Sequence, residues 1–398
     1  MAWYDYFIGS TETKSADDVL RDLLAGSNSK SGQSVTLTSA LEVPVVLGIA
    51  RVIAEGVAQV PWKIYQRVGD GRTESRDHPL FYLLHRRPNE WQTSFEFREQ
   101  IVLHLVLSGN AFVFVNRSSN GSIIELLPYE PGSVTVKRRD DMSMEYRIRL
   151  ANGSDVVIPR QNMWHVRGPS WNGYLGLDAV KQARNAIGMS MAMEEFGSAL
   201  FANGARPGGL ISTEQPLKAE QVKAIKDQWA SAQAGSGNAM KTALLHSGLK
   251  YQPLSWNADE AQFIEAQKRV ILNLCAAFRV NPIMVQQTEG SAAYASVEQM
   301  FLAHLVHTLM PWYERIEQSA EIGLLTEAER KAGFYTKLEA KGLMRGTAKE
   351  RAEYMQIMRQ NGVITANEWR DYEEMDRSTD PRADQLEPAA NLFGNQPG

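Results

Sequence analysis

The nearest approach to a phosphate loop in this chain is AGSGNAMKT, Ala234 to Thr242. A Walker-type loop needs G-x-x-x-x-G-K-[ST] between a strand and a helix, so that backbone amides converge on the phosphates. Here Lys241 and Thr242 match, but Met240 stands where the second glycine belongs. The preceding segment also reads as helix, which would turn the amides away, so nucleotide binding is not expected. His304 and His307 lie at i and i+3 and could share a helix face. A metal needs more ligands, and no further His, Cys or carboxylate pair stands at a recognised ligand spacing. Surface or interface histidines are therefore expected. Cys275 sits among apolar residues without a basic neighbour to lower its pKa, and reads as an inert core thiol. No G-x-S-x-G elbow occurs, and Glu194-Glu195 and Glu373-Glu374 read as solvated helix faces. The expectation is a protein that is not an enzyme, with no catalytic residues, no metal and no cofactor.

One stretch remains as a candidate surface. PIMVQQTEGSAAYASVEQ, Pro282 to Gln299, has no Lys or Arg and carries Glu289 as its one charge before Glu298. Without basic residues it is a poor phosphate cradle, and without a nucleophile–base pair it is a poor catalytic turn. A linker, or a surface that touches something lightly, remains. Pro282 stops one helix, and Ser296 with Gln299 has the spacing of a capping box that starts another. The segment between is predicted to be a loop.

The flanking elements follow from apolar periodicity. Leu177–Asn203 reads as a long helix of about 40 Å, closed by Asn203-Gly204. Its Ala179, Ala183, Ala186, Ser190 and Gly197 form a small-residue stripe that would let another backbone approach closely, or would pack on the chain's own core. A second long helix follows Asn257, with Glu260 at its N3 position and Phe263, Val270, Leu274 and Phe278 as its apolar face. Between them lies a compact insertion with short strand and helix patterns. The third helix, from Ser296, would present Phe301, Leu305, Leu309, Trp312 and Ile316 on one face. Pro311 inside it cannot bond the His307 carbonyl, which predicts a kink.

Upstream, Val46, Ile49, Ala50, Ile53 and Val57 mark a helix, and Thr93 with Glu96 caps another that stops at Gly109. From Ala111 to Arg167 the pattern changes to short β-like runs with turn signals such as Asn120-Gly121 and Asn152-Gly153. Lys137-Arg138-Arg139, followed at once by Asp140-Asp141, reads as a solvated hairpin tip. Downstream, Thr347 with Glu350 and Thr365 with Glu368 cap two helices, and the final residues read as disordered. The fold class expected is α+β.

Bulk composition narrows the class further. With 398 residues and 43% hydrophobic content, two or three folding units are expected. A net charge of −4 does not advertise tight nucleic-acid binding. One cysteine allows no internal disulfide and fits a reducing compartment. MAWYDYFIGS lacks the marks of a secretory signal, and no apolar run is long enough to span a membrane. A soluble protein made in the cytoplasm is expected.

Three blocks in order resemble the portal proteins of long-tailed bacteriophages. They are His78–Arg117 (HPLFYLLHRRPNEWQTSFEFREQIVLHLVLSGNAFVFVNR), the run from Leu175 to Ser212 (LGLDAVKQARNAIG with FANGARPGGLIS), and the run from Phe278 to Gln318 (FRVNPIMVQ with GSAAYASVEQMFLAHLVHTLMPWYERIEQ). The resemblance implies a dodecameric ring at one capsid vertex through which double-stranded DNA is packaged and ejected. DNA contact would be weak and non-specific. The implied partners are the terminase large subunit, the major capsid protein and the head-completion proteins, with no membrane. Another ring-forming head–tail adaptor is the alternative.

The same resemblance implies a division of the chain. Residues 1–34 would be an arm, 35–176 a β-rich wing, 177–203 and 257–281 two stem helices, and 204–256 a small α/β clip. Residues 282–295 would be a tunnel loop, 296–322 a kinked wing helix, 323–346 a return to the wing, 347–377 a short helical crown and 378–398 a disordered tail. In the loop, Gln286, Gln287, Thr288, Glu289, Gly290, Ser291 and Tyr294 would face the channel. The stripe Ala179, Ala183, Ala186, Ser190 and Gly197 would pack stems together.

Overall fold

The computed structural model describes residues 27–69, 71–150, 153–202, 210–212, 220, 222–223, 227, 250–252, 259–287, 294–340, 348–373 and 375–386. The chain forms two compact units, residues 1–338 and 339–398. The phosphate-loop-like segment at 234–242, the caps at Asn203-Gly204, Asn257 and Thr347, and the loop residues Thr288, Glu289, Gly290 and Ser291 lie outside the described residues.

The larger unit opens with β1 (Ser27–Asn28) and β2 (Ser34–Val35), an antiparallel hairpin. Helices α1 (Leu37–Glu42) and α2 (Pro44–Ala58) follow. Pro44 occupies the first turn of α2, where its missing N–H costs nothing. The predicted stripe Val46, Ile49, Ala50, Ile53 and Val57 is buried on one face. Burial of the Val and Ile side chains contributes about 1.5–3 kcal/mol each, which makes this face a principal anchor of the unit. Strands β3 (Trp62–Val68) and β4 (Gly71–Glu74) lead to the short helix α3 (Pro79–His85).

Helix α4 (Ser94–Ser108) has the cap its sequence predicts. The Thr93 hydroxyl accepts from the Glu96 N–H, and the Glu96 carboxylate accepts from the Thr93 N–H at 2.7 Å. Its buried Arg98 donates to the Ala58 carbonyl at 2.6 Å and so caps the end of α2. Burial lowers the pKa of this guanidinium to about 10, which still leaves it charged at neutral pH.

Residues 110–167 form β5 (Asn110–Arg117), β6 (Ile123–Tyr129), β7 (Val134–Arg138), β8 (Met144–Arg149), β9 (Asp155–Ile158) and β10 (Met163–Arg167). They build two antiparallel sheets, ordered β10-β5-β6 and β7-β8-β9. Phe112 and Met163 from the first sheet meet Val134, Tyr146 and Ile148 from the second in one core cluster. Lys137-Arg138-Arg139 does sit at a hairpin tip, where Met142 takes a left-handed φ of 67° and Arg139 pairs with Glu145.

Two long helices come next, α5 (Ala179–Ala202) and α6 (Asp259–Phe278). Between them, β11 (Leu210–Ser212) pairs antiparallel with β12 (Lys250–Gln252), so the inserted segment leaves and returns side by side. Helix α7 (Tyr294–His304) runs through a π segment, Leu305–Leu309, into α8 (Met310–Gly323). Then α9 (Glu327–Lys331) leads to β13 (Phe334–Leu338), which pairs with β3 from Trp62↔Leu338 to Phe334↔Gln66. This pairing joins residues about 270 positions apart and closes the unit. Buried Glu317 of α8 reinforces it by accepting from the Leu338 N–H at 2.8 Å and the Lys337 ammonium at 2.7 Å.

The smaller unit holds α10 (Ala348–Gln360) and α11 (Ala366–Tyr372), the latter with the predicted Thr365–Glu368 capping box. Residues 378–386, expected to belong to a disordered tail, are ordered. The Ser378 N–H donates to buried Asn367 at 2.7 Å, and Asp380 caps a short turn over 381–384. Among the described residues no helix is long and apolar enough to cross a membrane.

Several expectations need correction. Residues 27–35 are docked and not a free arm: the Lys30 N–H donates to Asn185 at 3.1 Å, and Gln33 donates to Glu195 at 2.8 Å. Helix α5 starts at Ala179 and not Leu177, because Asp178 accepts from the Lys181 N–H and fixes the start. Ser296 is not an N-cap, since α7 is already helical from Tyr294. His304 is buried and not a surface residue, and burial lowers its pKa.

Candidate functional site

The candidate site is the end of α6 and the segment that follows it. Helix α6 stops because Arg279 adopts φ 56°, letting the Val280 N–H reach back to the Cys275 carbonyl at 2.9 Å. This left-handed termination satisfies end carbonyls that would otherwise be orphaned. Asn281 then caps a 3-10 turn, Pro282–Val285, by accepting from the Ile283 N–H at 3.2 Å. Gln286 closes that turn with φ 60°, unusual for a residue other than glycine. The Gln287 N–H bonds the Pro282 carbonyl at 3.0 Å. Gln286 and Gln287 are both exposed. The loop therefore leaves a stiff root, not a frayed helix end.

A second tether comes from the far side of the loop. Thr308, buried in the π segment, donates to the Arg279 carbonyl at 2.6 Å. The π geometry also answers the expectation at Pro311. Proline can offer no N–H to the His307 carbonyl. The chain accommodates this by widening the preceding turn, with the Met310 N–H bonding Leu305, five residues back. The irregularity anticipated at Pro311 thus lies in residues 305–309. Of the predicted apolar stripe, Leu305, Leu309 and Ile316 are buried, whereas Phe301 is half exposed.

The π segment packs on α2. A side chain at Gly56 would come within 2.9 Å of Leu309, and Tyr313 donates to the Gly56 carbonyl at 2.8 Å. Residues of α2, α5 and α6 with Met284 and Gln287 border a cleft of about 530 Å³ at the loop root. Ser190 of the small-residue stripe opens onto it.

The stripe itself divides. Ala183 is buried in the protomer, whereas Gly197 has nothing within 4 Å of where a side chain would begin. Ala179, Ala186 and Ser190 are partly exposed. The closest approach on α5 is at Gly188, which the sequence reading did not single out. A Cβ there would lie 2.2 Å from the Ser29 hydroxyl. Further along, α5 and α6 meet through Phe196 and Phe263, with ring centroids 5.5 Å apart.

A junction at the start of α5 was also missed. Gly109 (φ 75°), Gly168 and Gly176 stack backbone on backbone, with the Gly168 N–H bonding the Gly109 carbonyl at 2.7 Å. Asn110 accepts from the Gly176 N–H at 2.8 Å and bonds His165 at 3.1 Å. His165 also meets the Tyr146 hydroxyl at 3.3 Å, and its pKa falls to about 3, first through burial and then through Arg167 and Arg160. The SGN run at Ser108–Asn110 was the available signal, since an Asn after a helix-ending Gly can bond exposed backbone.

Nothing in this geometry presents a nucleophile with a base. Among the described residues no three His, Cys, Asp or Glu converge as metal ligands. Buried Cys275 has its pKa raised by desolvation, which disfavours the reactive thiolate. The site offers uncharged amides on a rigid root.

Comparison with known proteins bears on the whole of this arrangement. The family model described as phage portal protein matches residues 44–374. The probable portal protein of Streptomyces phage phiC31 is 28% identical over 386 residues, covering 94% of this chain and 83% of that one. The portal protein of Enterobacteria phage HK97 is 27% identical over 334 residues, covering 83% of this chain and 78% of that one. Among solved structures, the neck of a native gene transfer agent particle computed with C12 symmetry aligns with a TM-score of 0.57 and 21% identity. That alignment covers 86% of this chain and 94% of the other.

Proposed function

The chain belongs to the phage portal protein family, and on that premise we propose that its copies form the ring-shaped channel at a capsid vertex through which double-stranded DNA is packaged and ejected. The observation that carries the reading is the family match over residues 44–374, which spans both long helices, the insertion between them and the segment after α6. In this reading α5 and α6 are the stem, the insertion is the clip that meets the terminase motor and then the head-completion proteins, and the smaller unit contributes a short crown. Twelve copies per ring is the number favoured, by analogy with the C12 symmetry of the neck structure.

The loop after α6 is the segment we assign to the channel wall. DNA must slide, and each phosphate neutralised by Lys or Arg adds salt-sensitive affinity that opposes sliding. A segment carrying Gln286, Gln287, Thr288 and Ser291, with Tyr294 at the start of α7 and not in the loop as expected, and no basic residue, offers brief hydrogen bonds or stacking instead. The left-handed turns at Arg279 and Gln286 and the Thr308 tether support this role, because they hold the loop's origin while its tip contacts a moving ligand. The role requires no catalytic residue in the chain. Electron microscopy of the purified protein tests the ring, and packaging assays with loop deletions test the channel wall.

A further inference from the structure

Beside the loop that precedes α5 lies a cavity of about 680 Å³ bordered by Arg160, Arg167 and Arg315. Arg160 donates to the Met163 carbonyl at 3.1 Å and Arg167 to the Gly173 carbonyl at 2.6 Å. Arg315 donates to the Arg167 and Gly168 carbonyls, each at 3.1 Å. Among the described residues none of the three has a carboxylate within ion-pair distance. Glu314 borders the same cavity and accepts from the Gln318 amide at 2.5 Å, so three guanidiniums there face one carboxylate and the cavity stays net positive. The crowding of positive charge is felt locally, since the Arg315 pKa is lowered by burial and then by Arg167.

The same loop presents Trp171, which is 90% exposed. The loop is braced. The Gly173 N–H donates to the Ser170 hydroxyl at 2.9 Å, and Asn172 accepts from the Tyr174 and Leu175 N–H groups at 3.1 and 2.9 Å. A fourth guanidinium, that of Arg138, lies 5.3 Å from the Tyr174 ring centre. An indole displayed on a rigid loop beside unpaired arginines has the composition of an interface anchor. Trp and Arg are enriched where binding energy concentrates, and a braced loop loses little entropy when it is covered.

We propose that Trp171 and the arginine cavity form one half of the contact between neighbouring copies in the ring, receiving a carboxylate-bearing segment of the adjacent copy. This rests on the portal reading. A closed ring joins two different faces of each copy, so a basic face requires an acidic complement on the other side. The chain can supply it: with 46 acidic against 42 basic residues, it carries seven more acids than bases once these three arginines are set aside. A DNA phosphate is the poorer occupant, because a concave cluster of guanidiniums would grip the backbone and hinder sliding.

The test compares wild type with Trp171→Ala and Arg160→Glu, both at exposed positions, after circular dichroism melts show the fold retained. Ring assembly is followed by mass photometry against protein concentration. Each variant is expected to need at least about tenfold more protein to assemble, the loss associated with one interface anchor. In parallel, a photoreactive benzoylphenylalanine in place of Trp171, in mixed heavy and light isotope-labelled rings, is expected to crosslink to an acidic peptide of a second copy. Variants that assemble at the wild-type concentration, or crosslinks confined to the photolabelled chain's own peptides or to added duplex DNA, would overturn the inference. Failure of wild type to form any ring would instead count against the portal reading itself.

Discussion

The Thr308 hydroxyl donates to the Arg279 carbonyl at 2.6 Å, joining the π segment to the left-handed turn that ends α6. The bond ties the turn that precedes the proposed tunnel loop to the helical segment that follows α7. Thr308→Val keeps the shape and removes the donor, leaving a carbonyl without its partner. A loss of about 1–3 kcal/mol is expected in urea unfolding. Thr308→Ser should recover most of it. Equal stability of wild type and the valine variant would show that the tether contributes nothing.

Glycines separate a junction inside the protomer from a surface proposed to lie between protomers. Gly109→Ala would place Cβ 2.2 Å from the Leu177 carbonyl oxygen at φ 75°, and should cost more than about 3 kcal/mol. Gly197 has open space around it, so Gly197→Ala should stabilise the isolated protomer by up to about 1 kcal/mol. Gly197→Leu should leave the protomer folded but disturb ring assembly, because the open space is assigned to a neighbouring stem. Normal rings from Gly197→Leu or Ala186→Leu, seen by electron microscopy, would remove the stripe from the interface.

Acid should loosen the junction at the start of α5. His165 is buried between Asn110 and Tyr146 with its pKa lowered to about 3. A histidine held neutral in the fold contributes stability that is complete above the unfolded value near 6.5. That stability is lost as pH falls below 6.5 towards 3, because the unfolded chain binds the proton first. His104, whose Nδ1 is enclosed without a partner although part of its ring is exposed, adds to the same trend with a pKa near 4. Urea unfolding between pH 7 and 4 should show a decline, and His104→Met should flatten it. An unchanged slope in that variant would mean that His104 does not titrate with unfolding.

Much of this architecture was legible because the signals are local. The boxes at Thr93–Glu96 and Thr365–Glu368, the stop at Gly109 and the β runs from Ala111 to Arg167 each depend on neighbours within a few residues. What escaped depends on distant partners. Gly188 is small because Ser29 lies against it, and residues 27–35 are ordered because Asn185 and Glu195 receive them. Ser296 with Gln299 imitates a capping box, but the helix already includes Tyr294. Pro311 announced a missing N–H and with it a kink, whereas the feature the structure shows is a wider turn before it, which periodicity alone could not foresee. The segment after α6 drew attention through its lack of charge, whereas the bond from Thr308 gave no sign of itself, since a lone threonine in a helix carries no such signal.

Removing Gln287 to Ala293 tests the loop as a channel surface. Rings are expected to assemble normally, because the root at Arg279–Gln286 and the Thr308 bond precede and follow the deleted stretch. DNA packaging, or retention of packaged DNA, should fall. Normal packaging together with normal retention would return the segment to the status of a linker.

The most direct test of the central claim is an end-on electron micrograph of the purified full-length protein. Closed rings with an open axial channel are expected, twelve copies being the favoured number, in which residues 282–295 line the narrowest part. Monomers at all concentrations, or closed particles without an axial opening, would contradict it.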